Sequence, residues 1–258
     1  MTDQRQPDQA NISDAHTELP SLRGRRAIVT GGTTGIGRAV AVLLASEGAK
    51  VFICGRTPEH LEDALARIRE VGEGEGANGD LAKPEDLRRI FDEADRYLGG
   101  LDVAVINAAV PAESIGDVEE DALRYQIEVD FTSYLVSTHA AVKRMKEGSD
   151  IVVIGSTSAV SREGNSIYTA AKTAMQGLVP ALRKELAERD IKVGLIEPSK
   201  TGADFQYESF SAEEQADEIN AQRMLRAEDI AVAVQFMLQQ PRRTAISLMR
   251  VEPRLPSE

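Results

Sequence analysis

From Leu22 onward the chain alternates short apolar runs with segments whose apolar residues recur at helical spacing, and that alternation leaves few architectures open. The runs Ala27 to Thr30, Val51 to Cys54, Leu101 to Ile106, Ile151 to Ile154 and Val193 to Ile196 suit strands covered on both faces of a parallel sheet. Between them, Ile36 to Glu47, Pro58 to Val71, Pro84 to Leu98, Asp121 to Lys146 and Ser166 to Glu188 carry the helical period. Pro58 and Pro84 stand at first helical positions, where a missing N–H costs no bond. The pattern predicts a weaker strand near Gly76 to Gly79, a helix over Ala227 to Gln240 and a last strand over Ala245 to Val251. The expected fold class is α/β: a doubly wound parallel sheet of about seven strands with helices on both faces.

At 258 residues with 42% hydrophobic composition, the chain can bury one substantial core, and no solenoid repeat or second boundary divides it. One domain over 22–258 is expected. Residues 1–21 are too polar to offset their ordering entropy by burial and read as a disordered tail. The segment 202–220 holds Asp204, Glu208, Glu213, Glu214, Asp217 and Glu218 without a single base, interleaved with Phe205, Tyr207 and Phe210, and reads as a solvated insertion or a substrate lid. A net charge of −12 repels phosphate backbones and anionic lipid, so neither nucleic acid nor membrane is an expected partner. Cys54 is the only cysteine, no apolar run is long enough to span a bilayer, and the N-terminus lacks an apolar signal segment. A cytoplasmic setting is expected.

Directly after the first strand comes Thr30-Gly31-Gly32-Thr33-Thr34-Gly35-Ile36-Gly37, followed at once by a helix. Gly31 serves the tight turn, Gly35 the close approach of backbone to a pyrophosphate, and Gly37 the packing of helix on strand, which is the logic of a Rossmann dinucleotide site. No Lys-Ser or Lys-Thr follows the last glycine, so a mononucleotide P-loop is excluded. The second strand ends in Cys54-Gly55-Arg56, without the carboxylate that would hold the free ribose 2′-hydroxyl of NAD. The planar cation of Arg56 suits a 2′-phosphate instead, which predicts NADP (NADPH) in preference to NAD.

Tyr168 and Lys172 lie four apart on a predicted helix and therefore share a face. An ammonium beside a phenol favours the phenolate. Ser156 follows the strand Ile151 to Ile154, at the carboxyl edge where open α/β sheets bind ligands.

With these residues in place the region from Leu22 to about Val251 resembles the short-chain dehydrogenase/reductase family in its compact single-domain form. The resemblance rests on the glycine loop, Asp80-Leu81 after the third strand, Asn107-Ala108-Ala109 after the fourth, Ser156 and Tyr168-x-x-x-Lys172. It implies an oxidoreductase that moves a hydride between NADP(H) and a carbonyl or secondary alcohol, with Tyr168 as general acid or base. Lys172 would tune the tyrosine and hold the nicotinamide ribose, and Ser156 would hold the substrate oxygen. It further implies a cofactor set of Gly31, Thr33, Thr34, Gly35, Ile36, Gly37, Arg56, Asp80, Leu81, Asn107, Ala108, Tyr168, Lys172, Pro198 and Thr201, and a homodimer or homotetramer. Four departures stand out: Val110 where a glycine is usual, Pro198-Ser199 for Pro-Gly, Asp130 where the family's proton relay has an asparagine, and Pro180 inside the helix of Tyr168 and Lys172, which it should kink about two turns past the lysine. Asp130 is counted with the catalytic residues, and a buried carboxylate there would need a proton or a cation, with Lys172 the natural partner.

No metal site is expected, because His16, His60 and His139 lack partners at ligand spacing. Cys54 reads as a small buried hydrophobe, and Lys200 as a solvated lysine or one facing an anionic substrate. Two rival readings stay open on the residues alone: a non-catalytic dinucleotide sensor, and an enzyme of this fold with dehydratase or epimerase chemistry.

Overall fold

A computed structural model describes residues 19–111, 113–162, 164–202 and 210–255. The chain winds β1 (Arg26–Thr30), α1 (Gly35–Ser46), β2 (Lys50–Gly55), α2 (Pro58–Val71), β3 (Glu73–Asn78), α3 (Pro84–Leu98) and β4 (Leu101–Ile106). Then follow α4 (Glu120–Ile127), a π-helical turn (Glu128–Thr132), α5 (Ser133–Val142), β5 (Met145–Ile154), α6 (Ser158–Ser161) and α7 (Ser166–Leu186). Last come β6 (Lys192–Pro198), β7 (Thr201–Gly202), α8 (Ala212–Asn220), β8 (Leu225–Arg226), α9 (Ala227–Leu238) and β9 (Leu248–Val251). Seven strands form one sheet in the order β3-β2-β1-β4-β5-β6-β9, all parallel, while β7 and β8 pair separately. The order reverses between β1 and β4, the kind of switch point at whose carboxyl edge open α/β sheets bind ligands.

Alternate residues of each strand enter opposite cores, as the continuous apolar runs require. Val29, Val51, Ile53, Val103, Val105 and Ile196 pack with Val40, Leu44, Ile68, Ile230 and Val234 from α1, α2 and α9. Ile28, Phe52, Ala104, Ile106, Val153 and Leu195 pack on the other face with Ile90, Phe91, Tyr134, Met175 and Val179 from α3, α5 and α7. Each such side chain fully withdrawn from water contributes about 1.5–3 kcal/mol, so the sheet is rigid enough to hold loops in register at its edge.

One expectation is corrected. The helix over Asp121 to Lys146 is three pieces, and its last residues belong to β5. Met145 is buried at one helical turn from the buried Ala141, which prolongs the helical pattern past the end of α5, yet it pairs with Leu101 as the first residue of the strand. The 1–21 tail falls outside the described residues as far as residue 18, and Leu22 beyond it is buried. Of the 202–220 segment, 203–209 lie outside the described residues, Phe205 and Tyr207 with them; α8 begins on a reciprocal Ser211–Glu214 capping box. Among the described residues no helix is long and apolar enough to cross a membrane, and no cluster of His, Cys, Asp and Glu suits a metal ion.

Candidate active site

The loop from β1 to α1 is shaped by contacts that leave no room for side chains. A Cβ at Gly37 would stand 2.1 Å from the Gly31 carbonyl oxygen and 2.6 Å from Asn107 Nδ2, and Gly31 itself turns at φ 63° with Ala108 Cα against it. Gly35 has φ 49°. Thr34, at the N-cap of α1, makes no side-chain bond to the first turn, so the leading amides of the helix are left for another acceptor. Thr33 is buried against Gly55, and Ile36 packs onto the core. An uncapped helix start behind a glycine turn is the cradle a dinucleotide pyrophosphate needs, so these residues fit a nicotinamide dinucleotide cofactor.

Asn107 locks this loop to the sheet centre. Its amide nitrogen donates to the carbonyls of Thr30 and Gly31 at 3.1 and 3.2 Å, while Thr30 Oγ1 accepts from the backbone amides of Asn107 and Ala108 at 2.9 and 3.2 Å. Farther along the edge, Arg56 donates to Tyr125 Oη at 2.7 Å and Tyr125 Oη donates to Asp80 Oδ2 at 3.1 Å. Leu81 is buried in the core beside α3. Cys54 lies under the loop, and burial pushes its thiol up to about 12, which leaves it an inert hydrophobe.

Lys172 joins the Tyr168 ring to the carboxyl end of β5, where its Nζ reaches the Ile154 carbonyl two residues before Ser156. Ser156 Oγ lies 2.7 Å from Ser158 Oγ and accepts from the Ser158 amide at 3.2 Å, which fixes its hydroxyl at the start of α6. α7 is capped by Asn165, whose side chain accepts from the Tyr168 amide at 2.8 Å. Lys172 is 2% exposed, and Nζ lies 5.4 Å from the Tyr168 ring centroid. Nζ donates to Tyr134 Oη at 2.7 Å and to the Ile154 carbonyl at 3.3 Å. Tyr134 is wholly buried, and burial keeps its phenol well above the ordinary value, so it remains a neutral hydroxyl whose proton faces the carbonyls of Asn107 and Ile154.

Asp130 sits in the π-helical turn with no exposed surface. Oδ1 accepts from the Val110 amide at 2.8 Å, whereas Oδ2 is buried without a hydrogen-bond partner among the described residues. Burial pushes its carboxyl up to about 6, against the opposing pulls of the Lys172 charge and the Val110 amide. Burial brings Lys172 down to about 8, and the charge of Asp130 opposes that fall. The two are coupled through space, because the lysine's hydrogen bonds go to Tyr134 and Ile154.

The family model described as short chain dehydrogenase matches residues 25–214. The chain belongs to the short-chain dehydrogenase/reductase family. It is 33% identical over 214 residues to an Arabidopsis thaliana protein named NADPH-dependent aldehyde reductase 1, chloroplastic, covering 75% of this chain and 74% of that one. It is 32% identical over 237 residues to human dehydrogenase/reductase SDR family member 4, covering 87% and 84%. A short-chain dehydrogenase from Burkholderia cenocepacia J2315, solved in complex with NADP, superposes with a TM-score of 0.80 at 30% identity, covering 90% of this chain and 98% of that one.

At the edge of this short-chain dehydrogenase/reductase sheet, Pro198 ends β6 and its carbonyl accepts from the Thr157 amide at 2.9 Å. Thr201 is buried in β7 and donates its hydroxyl to the Ser199 carbonyl at 2.8 Å. Lys200 is partly exposed, pairs with Glu218 of α8 at 3.7 Å and lies 4.3 Å from the Phe210 ring centroid. Tyr125, Tyr134, Ser158 and Asn165 escaped the sequence reading. Asn165 alone left a local signal, an N-cap residue just before a helical period.

Proposed function

We propose that the chain is an NADP-dependent oxidoreductase acting between a carbonyl and the corresponding secondary alcohol. The observation that carries the reading is the buried Lys172 ammonium beside the Tyr168 ring, bonded to the Ile154 carbonyl at the carboxyl end of β5, the strand that Ser156 follows. A buried lysine needs a reason, and a phenol that must exchange a proton supplies one.

The bound dinucleotide supplies the hydride in reduction and accepts it in oxidation. Ser156 Oγ, steadied by Ser158, donates to the substrate oxygen and orients the carbonyl. Tyr168 gives its proton to that oxygen in reduction and takes it back in oxidation. The Lys172 charge stabilises the phenolate left behind. The charge of Asp130 favours the proton on Lys172, where a neutral amide would not. Arg56, exposed in the turn after β2, would hold the 2′-phosphate. The relatives named for NADPH and solved with NADP support that preference. The family setting also supports a homodimer or homotetramer.

Incubating the purified protein with NADPH and a panel of aldehydes and ketones, and following loss of the reduced cofactor, tests the reading. Cofactor oxidation that depends on a carbonyl, with alcohol recovered, is expected. Tight NADPH binding with no turnover on any carbonyl or alcohol would overturn it.

A further inference from the structure

The chain Arg56–Tyr125–Asp80 ties three parts of the fold that are remote in sequence: the turn after β2, helix α4 and the turn after β3. Its direction is fixed. Half-burial raises the Tyr125 phenol above its ordinary value, so the hydroxyl stays protonated, and its single proton goes to Asp80 Oδ2 at 3.1 Å. Asp80 is held in turn, since its Oδ1 accepts from the Ala82 amide at 3.0 Å and its own amide donates to Asp86 Oδ2 at 3.0 Å. With the proton committed to Asp80, the lone pairs of Tyr125 Oη are turned to Arg56, which donates one terminal nitrogen at 2.7 Å. The guanidinium carbon also lies 5.8 Å from the Tyr125 ring centroid, so the ring limits its motion.

Among the described residues no other group bonds Arg56, and the side chain is otherwise exposed. One nitrogen is therefore anchored, while Nε–H and the second amino group present a free edge. That edge is the fork which meets two oxygens of one phosphate. An unanchored surface arginine would lose its rotamer freedom on binding; an anchored one has lost it already.

We propose that Tyr125 is a positioning residue for 2′-phosphate recognition: it holds Arg56 by one nitrogen, in a pose set by Asp80, with the other edge aimed at the phosphate of NADP. The proposal rests on the NADP reading above and deepens it. Tyr125 touches no reacting atom, and its effect is confined to ligands that carry the 2′-phosphate.

Adenosine 2′,5′-bisphosphate and 5′-AMP differ in that phosphate alone, and calorimetric titration of both measures the discrimination directly. Wild type should favour the bisphosphate. Tyr125→Phe keeps the ring and deletes the hydroxyl; it should weaken the bisphosphate about fivefold, the span of one hydrogen bond, and leave 5′-AMP unchanged. Arg56→Ala should remove the preference, and adding Tyr125→Phe to it should change nothing more. If wild type shows no preference, the NADP reading fails and this proposal with it. If wild type prefers the bisphosphate and Arg56→Ala abolishes that preference while Tyr125→Phe retains it in full, the cofactor reading stands and the proposal for Tyr125 is overturned. Equal weakening of both ligands by Tyr125→Phe overturns it too, by showing a role in packing.

Discussion

Asp130 carries a buried oxygen without a partner among the described residues, a feature that folded proteins rarely tolerate without reason. Burial pushes its carboxyl up to about 6 and Lys172 down to about 8, and each charge opposes the other's shift, lending part of the solvation that burial removes. The negative charge makes the proton harder to remove from Lys172 and opposes the field of that ammonium at the neighbouring Tyr168 ring. Asp130→Asn keeps an oxygen for the Val110 amide and deletes the charge, so both ionisations that bound the pH-rate profile should move to lower pH while turnover persists. The limbs belong to the coupled set and not to single residues. Limbs that stay in place would show that the carboxylate does not act on the lysine. Lost activity with folding and NADPH binding intact would give Asp130 a chemical role of its own.

Residues whose partners lie close along the chain are legible in the sequence itself, and residues whose partners lie across the fold are not. Tyr168 and Lys172 announce themselves by a one-turn spacing, and the glycine loop by its place between strand and helix. Tyr134 reaches a lysine 38 positions away and Tyr125 an arginine 69 positions away, so each reads in sequence as one more aromatic on an amphipathic helix.

Among the elements, periodicity recovers α2, α3 and β4 to the residue, because proline and glycine punctuate them. It fails across 121–146. There the π-helical turn adds a residue within an otherwise helical run, and the helical pattern carries over into β5. That turn brings Asp130 inward to the Val110 amide, so the departure from regular helix and the departure from the family asparagine fall on one residue. The glycine loop offers the sharpest test at this scale. In Gly37→Ala the new methyl has the Gly31 carbonyl 2.1 Å away and the Asn107 amide 2.6 Å away, and neither can retreat without breaking the tie between β1 and β4. Thermal unfolding should show a loss of about 1–3 kcal/mol, the usual cost of overpacking, and NADPH affinity should fall with it. A variant of wild-type stability and affinity would show that the loop is looser than this geometry.

For the molecule as a whole, the parallel order β3-β2-β1-β4-β5-β6-β9 is readable because strands covered on both faces must be apolar throughout. Quaternary structure is not, since the same amphipathic helices cover a sheet and meet a neighbour. Ile127 and Val136 stay half-exposed on α4 and α5, which suits burial between subunits. Sedimentation equilibrium at micromolar concentration should give two or four times the chain mass of 28.0 kDa, and a single-chain mass would contradict the expected oligomer. The central claim is that Tyr168 moves the proton while the rest of the site holds ligands in place. Single-turnover oxidation of NADPH by a carbonyl substrate, compared between wild type and Tyr168→Phe at saturating cofactor, measures that most directly: the rate should fall at least about 100-fold with NADPH affinity unchanged, and a near-normal rate in the variant would contradict the account.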